Sequence, residues 1–152
     1  MTEKVLFVCR ENAERSQIAE AYFNKFATKG AEAESAGADV TSIGAPPNDW
    51  VIESLKKDGI DVSMRKRKPL TEEMAARADM IVVLLTKDEA DEFLPHFVKH
   101  SSKTVFCDMT LKLRHGFTSD DTHQALLEML KTKAKRLADT LNDKKSRLKS
   151  LS

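Results

Sequence analysis

The first sixteen residues contain the feature that most constrains this chain: an apolar run ending on a cysteine, a short polar loop and the start of a helix. Residues 5–8 read Val-Leu-Phe-Val, which is typical of a strand covered on both faces of a sheet. Cys9 follows this run directly, and Arg15 and Ser16 close the loop. From Ser16 onward, apolar residues recur at spacings of three and four, which predicts a helix. The cysteine is therefore predicted at the carboxyl end of a buried strand.

A loop that joins a strand to a helix in this way favours anion binding. Its successive backbone N–H groups point inward, and the helix N-terminus adds a partial positive charge. A thiol held over such a nest ionises readily, because the thiolate is itself an anion. Arg15 can bind two oxygens of a tetrahedral oxyanion, and Ser16 can donate a hydrogen bond to the sulfur. The alternative interpretation is an inert, buried Cys9 with Arg15 as an ordinary surface charge.

The pattern Cys-x5-Arg-Ser over residues 9–16, with Asn12 inside it and Ala19-Glu20-Ala21 after it, resembles a known family signature. It is similar to the low-molecular-weight protein tyrosine phosphatase superfamily, which includes a thiol-coupled arsenate reductase branch. The resemblance implies a three-layer α/β fold, with a four-stranded parallel sheet in the order 2-1-3-4 and helices on both faces.

The alternation of strand and helix patterns along the chain agrees with that fold class. A chain of 152 residues is expected to form one domain. We expect residues 1–142 to be a single phosphatase-like domain and residues 143–152 to be a basic polar tail that frays. The predicted strands are 5–8, 31–36, 80–85 and 104–107, and the predicted helices are 16–26, 48–57, a short one from 71, 87–93 and 119–142.

Charge and hydropathy exclude several classes of protein. The formal net charge is +1, with 25 basic and 24 acidic residues, so no nucleic-acid or membrane partner is expected. The longest apolar run, residues 80–85, is too short to span a bilayer, and no signal-peptide pattern precedes the first strand. Two cysteines far apart do not make a disulfide framework, so we expect a cytoplasmic protein. No metal and no cofactor are expected.

The resemblance implies a role for each residue of the loop. Cys9 is the nucleophile that forms a phosphocysteine, and Arg15 stabilises the oxygens of the transition state. Asn12 holds the loop in an unusual backbone conformation with Ser35 as its hydrogen-bond partner, and Ser16 tunes the sulfur. The predicted substrate-binding residues are Arg10, Glu11, Asn12, Ala13, Glu14, Arg15 and Ser16.

The general acid is harder to predict, because the family's Asp-Pro after the fourth strand is absent. Asp108 is the acid directly after that strand, and the strand-end rule places it on the catalytic edge. We therefore predict Asp108 as the acid that protonates the leaving group. Asp120 and Asp121 are the other candidates, but capping of the last helix explains them adequately.

Three functions stay open at this point. The first is a phosphatase acting on phosphotyrosine or other aryl phosphates of a protein or small molecule. The second is an arsenate reductase that uses arsenate and an external thiol donor. The third is a non-catalytic oxyanion-binding module, which is favoured if Glu11 and Glu14 block the loop.

Other residues bear on this choice. The loop after the second strand carries residues 41–43 where tyrosine phosphatases of the family have an aromatic pocket wall, while Trp50 is expected in buried packing. Strands one and four are two spacings apart in the expected order, so a Cys9–Cys107 disulfide would require movement. The basic segment (residues 64–68) is interpreted either as a solvated loop or as a rim that attracts anionic substrates.

Overall fold

A computed structural model describes residues 2–110 and 119–150. Within these residues, four parallel strands form one sheet in the order β2-β1-β3-β4, which confirms the predicted fold class. The central strands are nearly continuous runs of apolar residues, because both of their faces are covered. The strands are β1 (Glu3–Cys9), β2 (Ala31–Gly37), β3 (Met80–Leu85) and β4 (Thr104–Asp108).

Helices cover both faces of this sheet. The first helix packs on β1, β2 and the last helix, whereas the third helix contacts β1 and the fourth contacts β3. With right-handed crossovers, the helix between β1 and β2 lies on one face and those leading to β3 and β4 lie on the other. The helices are α1 (Arg15–Phe26), α2 (Asp49–Lys57), α3 (Glu72–Arg77), α4 (Lys87–Phe93), α5 (His96–Lys99) and α6 (Ser119–Ser150).

The core lies around β1 and β3, and burial falls toward β4. The side chains of Leu6, Val8 and Val83 are fully buried, whereas Val105 and Phe106 on β4 are 50% and 46% exposed. The strand order puts β4 at one edge and β2 at the other, and the end of β2 also forms an isolated bridge between Gly37 and Pro69. The carboxyl ends of β1 and β4 nevertheless lie on the same edge of the sheet, because all four strands are parallel.

The last helix is longer than its apolar stripe predicts. It passes Asn142, where the prediction ended it, and continues to Ser150. Residues 143–150 contain neither proline nor glycine, and lysine, arginine and leucine are good helix formers, so the helix continues without a stop signal. The division into a domain of residues 1–142 and a tail of residues 143–152 stays a prediction. Within the described part of the chain, no helix has the length and apolar character needed to cross a bilayer.

Candidate active site

The cysteine loop (residues 9–16) joins the end of β1 to the start of α1. Cys9 is 2% exposed, and its Sγ lies 2.9 Å from the Ser16 Oγ. The same sulfur accepts a hydrogen bond of 3.3 Å from the backbone N–H of Asn12. Two polar groups therefore converge on Sγ, as a loop that stabilises a thiolate requires.

Asn12 ties the cysteine loop to its surroundings. It has a φ of 56°, an uncommon left-handed conformation for a residue other than glycine. Its Nδ2 donates to the Ser16 Oγ at 2.7 Å and to the Ser35 Oγ at 3.0 Å. Its Oδ1 accepts from the Lys68 backbone N–H at 2.9 Å and from the Gln17 Nε2 at 3.1 Å. Four hydrogen bonds from three parts of the chain thus hold the amide in one orientation.

Gly37, the last residue of β2, lies against the back of the cysteine loop. A Cβ at this position would lie 2.6 Å from the Arg10 carbonyl oxygen and 3.0 Å from the Asn12 nitrogen. Backbone atoms cannot give way as a flexible side chain can, so only glycine lets β2 approach the loop this closely.

Arg15 is held by the end of β3 and the start of α4. Its two terminal nitrogens donate to the two carboxylate oxygens of Glu89, at 2.7 and 2.9 Å, and one of them also donates to the Leu84 carbonyl at 3.1 Å. Glu89 belongs to a capping box with Thr86 at the start of α4. The hydrogen bond from Arg15 is the main cause that lowers the pKa of Glu89 to about 2, so its carboxylate stays ionised far into the acidic range.

This pairing leaves one edge of the guanidinium for a ligand. Three of the five N–H donors of an arginine are used by Leu84 and Glu89. Among the described residues, no hydrogen-bond acceptor is recorded for the edge formed by Nε and the second terminal nitrogen. Two parallel N–H groups of this kind match two oxygens of a tetrahedral anion.

The two acidic side chains of the cysteine loop are bonded to residues outside it. The carboxylate of Glu11 accepts from the backbone N–H and the hydroxyl of Thr41, at 3.1 to 3.3 Å. The carboxylate of Glu14 accepts from the Trp50 Nε1 at 2.7 Å. These bonds direct both carboxylates to partners outside the loop, and the non-catalytic module stays an untested alternative.

Arg10 and Trp50 build the two flanks of the cysteine loop. The Arg10 guanidinium lies 4.2 Å above the ring of Phe93 and 3.4 Å from the Asp39 carboxylate. Trp50 packs against the core but is only partly buried, in contrast to the buried packing expected from the sequence. It also stacks on His123 of α6 at 4.0 Å, with 4° between the ring planes. The start of α6 is thereby held beside the loop.

The basic segment braces the cysteine loop from behind. Arg65 forms an ion pair with the buried Glu20, and Arg67 donates to the Pro46 carbonyl and to the Asn48 Oδ1, both at 2.9 Å. The Lys68 backbone N–H bonds to Asn12, as described above. The sequence suggested that the basic segment was either a solvated loop or a rim that attracts substrates. Neither interpretation included these contacts, because Glu20, Pro46 and Asn48 lie well before the segment in the sequence.

Asp108 lies at the carboxyl end of β4, in register with Leu85. Its carboxylate is exposed and accepts from the hydroxyl and the backbone N–H of Thr110, at 2.8 and 3.0 Å. These two hydrogen bonds lower the pKa of Asp108. The other two candidate acids, Asp120 and Asp121, lie in the first turn of α6. No contact among the described residues joins any of these three acids to Cys9, so the acid role of Asp108 stays a prediction.

Cys107 lies on β4, in register with Leu84 and separated from β1 by β3. Both cysteines are free thiols. Cys107 lines an apolar groove of about 340 Å³ between the sheet and α6, together with Leu130 and Leu137. This position agrees with the expectation that Cys9 and Cys107 cannot pair without movement.

The sequence contained a usable signal for Glu89 but not for Arg65. Thr86 and Glu89 have the spacing of a capping box, which fixes the Glu89 carboxylate at the start of a helix directly after β3. The strand-end rule then places Glu89 on the same edge as Arg15. Arg65 is one of several cations in a row, and nothing local distinguishes it from its neighbours.

A family model described as low molecular weight phosphotyrosine protein phosphatase matches residues 4–147, and the chain belongs to this family. The low molecular weight protein tyrosine phosphatase from T. tengcongensis has a similar structure. The two share a TM-score of 0.76 and 26% identity, over 91% of this chain and 99% of that one.

The curated relatives include proteins named arsenate reductase and proteins named protein-tyrosine-phosphatase. An arsenate reductase of Halalkalibacterium halodurans is 33% identical over 85 residues, which cover 55% of this chain and 58% of that protein. The low molecular weight protein-tyrosine-phosphatase YfkJ of Bacillus subtilis is 36% identical over 85 residues, covering 53% of this chain and 54% of that protein. The chain thus spans less than two thirds of the length of these two relatives.

Proposed function

We propose that this protein is a cysteine-dependent phosphatase that hydrolyses phosphotyrosine or other aryl phosphate monoesters. One observation carries the proposal: Sγ of Cys9 receives the Asn12 N–H and lies beside the Ser16 hydroxyl, with Arg15 closing the same loop. A sulfur in this position supports nucleophilic attack, and Arg15 supports charge stabilisation. The proposed substrates are phosphorylated proteins or small aryl phosphates of the cytoplasm.

The proposed reaction has two displacements. The Cys9 thiolate attacks phosphorus, so that an S–P bond forms while the P–O bond to the aryl group breaks. The oxygen of the leaving group takes a proton from Asp108, which we propose as the general acid. Water then attacks the phosphocysteine, Asp108 takes the proton of that water, and phosphate leaves as the S–P bond breaks. The unbonded edge of Arg15 holds two phosphoryl oxygens throughout.

The test is hydrolysis of p-nitrophenyl phosphate by the wild type and by Cys9→Ser. We expect phosphate release by the wild type and none above background by the variant, because an alcohol in this loop is not ionised at neutral pH. Cys107→Ser is the matched control, since it removes a thiol that lies outside the cysteine loop, and it should retain activity. Release that survives in Cys9→Ser would refute the proposal.

Arsenate reduction is the second candidate, and the match to a relative named arsenate reductase favours it. In that reaction the Cys9 sulfur attacks the arsenic of arsenate, so that an S–As bond forms and an oxygen of arsenate leaves as water. An external thiol then attacks Sγ, the S–As electron pair passes to arsenic, and arsenite leaves with a mixed disulfide on Cys9. An external thiol is required in this proposal, because Cys107 lies across β3 from the end of β1. Arsenite formed in the presence of a small thiol, without phosphate release from aryl esters, would select this function.

A further inference from the structure

An apolar groove between the sheet and α6 (the α6 groove) lies apart from the cysteine loop. It has a volume of about 340 Å³, and none of its lining residues belongs to residues 9–16. Side chains of β3 and β4, among them Val82 and Val105, line one side, and Leu130 and Leu137 of α6 line the other. Small-molecule sites are mostly apolar and usually measure about 300–1,000 Å³, so the groove has the size and character of such a site.

The α6 groove exists because α6 packs mainly on α1, so the strands beyond β1 are covered less completely on this face. Val105 of β4 lines the groove and is 50% exposed, although valine is usually buried. Cys107, two residues along, lines the same groove, because alternate residues of a strand point to the same face. Apolar surface left in contact with water favours an apolar ligand that covers it.

The charged residues that line the α6 groove are two cations. Lys133 and Arg136 line it, and no acidic side chain does so among the residues that the structure describes. They are three positions apart on one helix, so their side chains are neighbours on its surface. Side chains of this kind lay their apolar stems along a groove and keep their charged ends in water. A ligand with an apolar chain and an anionic end therefore matches the groove.

The charges of Lys133 and Arg136 are available to a ligand. Lys135, which lies between them in the sequence, forms an ion pair with Asp139 at 3.0 Å. Within the described parts of the chain, no ion pair is recorded for Lys133 or Arg136. The cations that line the groove thus differ from the neighbouring cation that does not line it.

We propose that the α6 groove binds a single-chain aliphatic carboxylate, of the class of medium-chain fatty acids. The chain lies against β3 and β4, where it covers Val105 and Cys107, and the carboxylate lies beside the charged ends of Lys133 and Arg136. Since a water molecule occupies about 30 Å³ in the liquid and a methylene group is of similar size, the groove holds about ten carbon atoms. The site is separate from the cysteine loop and does not depend on the proposed phosphatase activity.

The test is equilibrium dialysis of the full chain with radiolabelled decanoate, below the concentration at which decanoate forms micelles. We expect saturable binding of one decanoate per chain. Octanoate should bind about fifteenfold more weakly, because each buried methylene group changes the affinity about fourfold. Decyltrimethylammonium has the same chain with a cationic head, and it should bind at least tenfold more weakly than decanoate. Inorganic phosphate should displace decanoate no more than chloride does at the same ionic strength, because the groove is separate from the cysteine loop.

Variants of α6 test the role of charge. Lys133→Met should weaken decanoate binding about fivefold, and so should Arg136→Met, because each removes one of the two exposed charges that face the carboxylate. Lys135→Met is the matched control. It removes the same charge from the same helix, but Lys135 is paired with Asp139 and does not line the groove, so the affinity should not change.

Variants of β4 test the position of the chain. Val105→Asp places a carboxylate in the groove and should abolish saturable binding, because it repels the ligand and is costly to cover with an apolar chain. Phe106→Asp is the matched control, since Phe106 is 46% exposed, follows Val105 directly and does not line the groove. Folding of each variant is checked by circular dichroism and urea titration. If Val105→Asp does not fold, the variants of Lys133 and Arg136 decide the outcome.

Four results would overturn the proposal. The first is the absence of saturable decanoate binding to the wild type, and the second is equal binding of decyltrimethylammonium. The third is a wild-type affinity in both Lys133→Met and Arg136→Met, or an equal loss in Lys135→Met. The fourth is specific displacement by inorganic phosphate, which would place the carboxylate in the cysteine loop instead of the α6 groove.

Discussion

The ends of β1 and β4 lie on the same edge of the sheet, but they are held in different ways. At the end of β1, the cysteine loop is bonded to residues distant in the sequence, among them Ser35, Lys68 and Glu89. At the end of β4, the carboxylate of Asp108 is bonded, among the residues that the structure describes, by Thr110, two residues along the chain.

This difference separates a part of the site that the fold holds rigidly from a part that only a local turn holds. Long-range bonds to the cysteine loop are lost only when β2, α4 or the basic segment moves. The turn at Asp108 can open by rotation of a single exposed side chain. The proposed nucleophile, Cys9, is therefore preorganised, whereas an acid at Asp108 would have to leave Thr110 before it could reach a substrate. The predictions that test this contrast run from the largest expected effect on activity to the smallest.

Asp108→Asn should have the largest effect, with substrates whose leaving groups are poor. Without an acid, their hydrolysis should slow by about 10²-fold or more, whereas esters of acidic phenols should be nearly unaffected. The measurement is kcat for a series of aryl phosphates plotted against the pKa of the leaving phenol. Equal loss across the series would show that Asp108 is not the acid.

Thr110→Ala tests the direction in which the pKa of Asp108 changes the rate for poor leaving groups. Because Thr110 lowers the pKa of Asp108 from its usual 3.8, less of the acid is protonated at neutral pH. Removing the hydroxyl should raise that pKa, and turnover of poor leaving groups at pH 6 should rise rather than fall. Asp120→Asn is the matched control on the nearby turn of α6 and should leave the leaving-group series unchanged.

Gly37→Ala should come next, with a loss in kcat/KM of about 10²-fold. The added methyl group would collide with the backbone at Arg10 and Asn12 and displace the cysteine loop, and small displacements of reacting groups have effects of this size. Gly44→Ala is the control, since its Cβ would meet no atom within 4 Å although its φ of 84° also disfavours alanine. If both variants lose activity equally, contact with the cysteine loop is not the source of the loss at Gly37.

Glu89→Gln should have the smallest effect on activity, about a tenfold loss in kcat/KM. Glutamine keeps one acceptor for Arg15 but removes the charged, two-oxygen contact, so the guanidinium is oriented less firmly. The same loss should appear for good and poor leaving groups, because Arg15 contacts phosphoryl oxygens in both. A loss confined to poor leaving groups would contradict this role.

The pH dependence of the free energy of unfolding tests the ion pair between Arg15 and Glu89. The pKa of Glu89 is lowered from 4.5 to about 2 in the folded protein, so its contribution to the free energy of unfolding is fully present above about pH 4.5. That contribution declines as the pH falls toward 2. Urea titrations should therefore show the wild type more stable than Glu89→Gln at pH 7, with a gap that narrows between pH 4.5 and pH 2.5. If the difference in the free energy of unfolding between the wild type and Glu89→Gln stays constant over this pH range, the charge of Glu89 is not the cause of that difference.

The fold was largely predictable because its signals are local. The apolar runs of β1 and β3, the helical spacing after Ser16 and the threonine cap at Thr71 each depend on a few neighbouring residues. The end of α6 was predicted less well. The prediction followed an apolar stripe that stops near Leu141, but residues of good helix propensity follow that stripe and the helix continues to Ser150.

The sequence alone was sufficient to predict the cysteine loop as the candidate site, because Cys9, Asn12, Arg15 and Ser16 are close neighbours in one recognisable motif. Tertiary structure decided what holds that loop: Glu89 on Arg15, and Glu20 with Arg65 behind Asn12. These partners come together only when separate segments pack at one edge of the sheet. A charged side chain shows in the sequence that it carries a charge, but only the fold determines which opposite charge it meets and how far both are shielded from water.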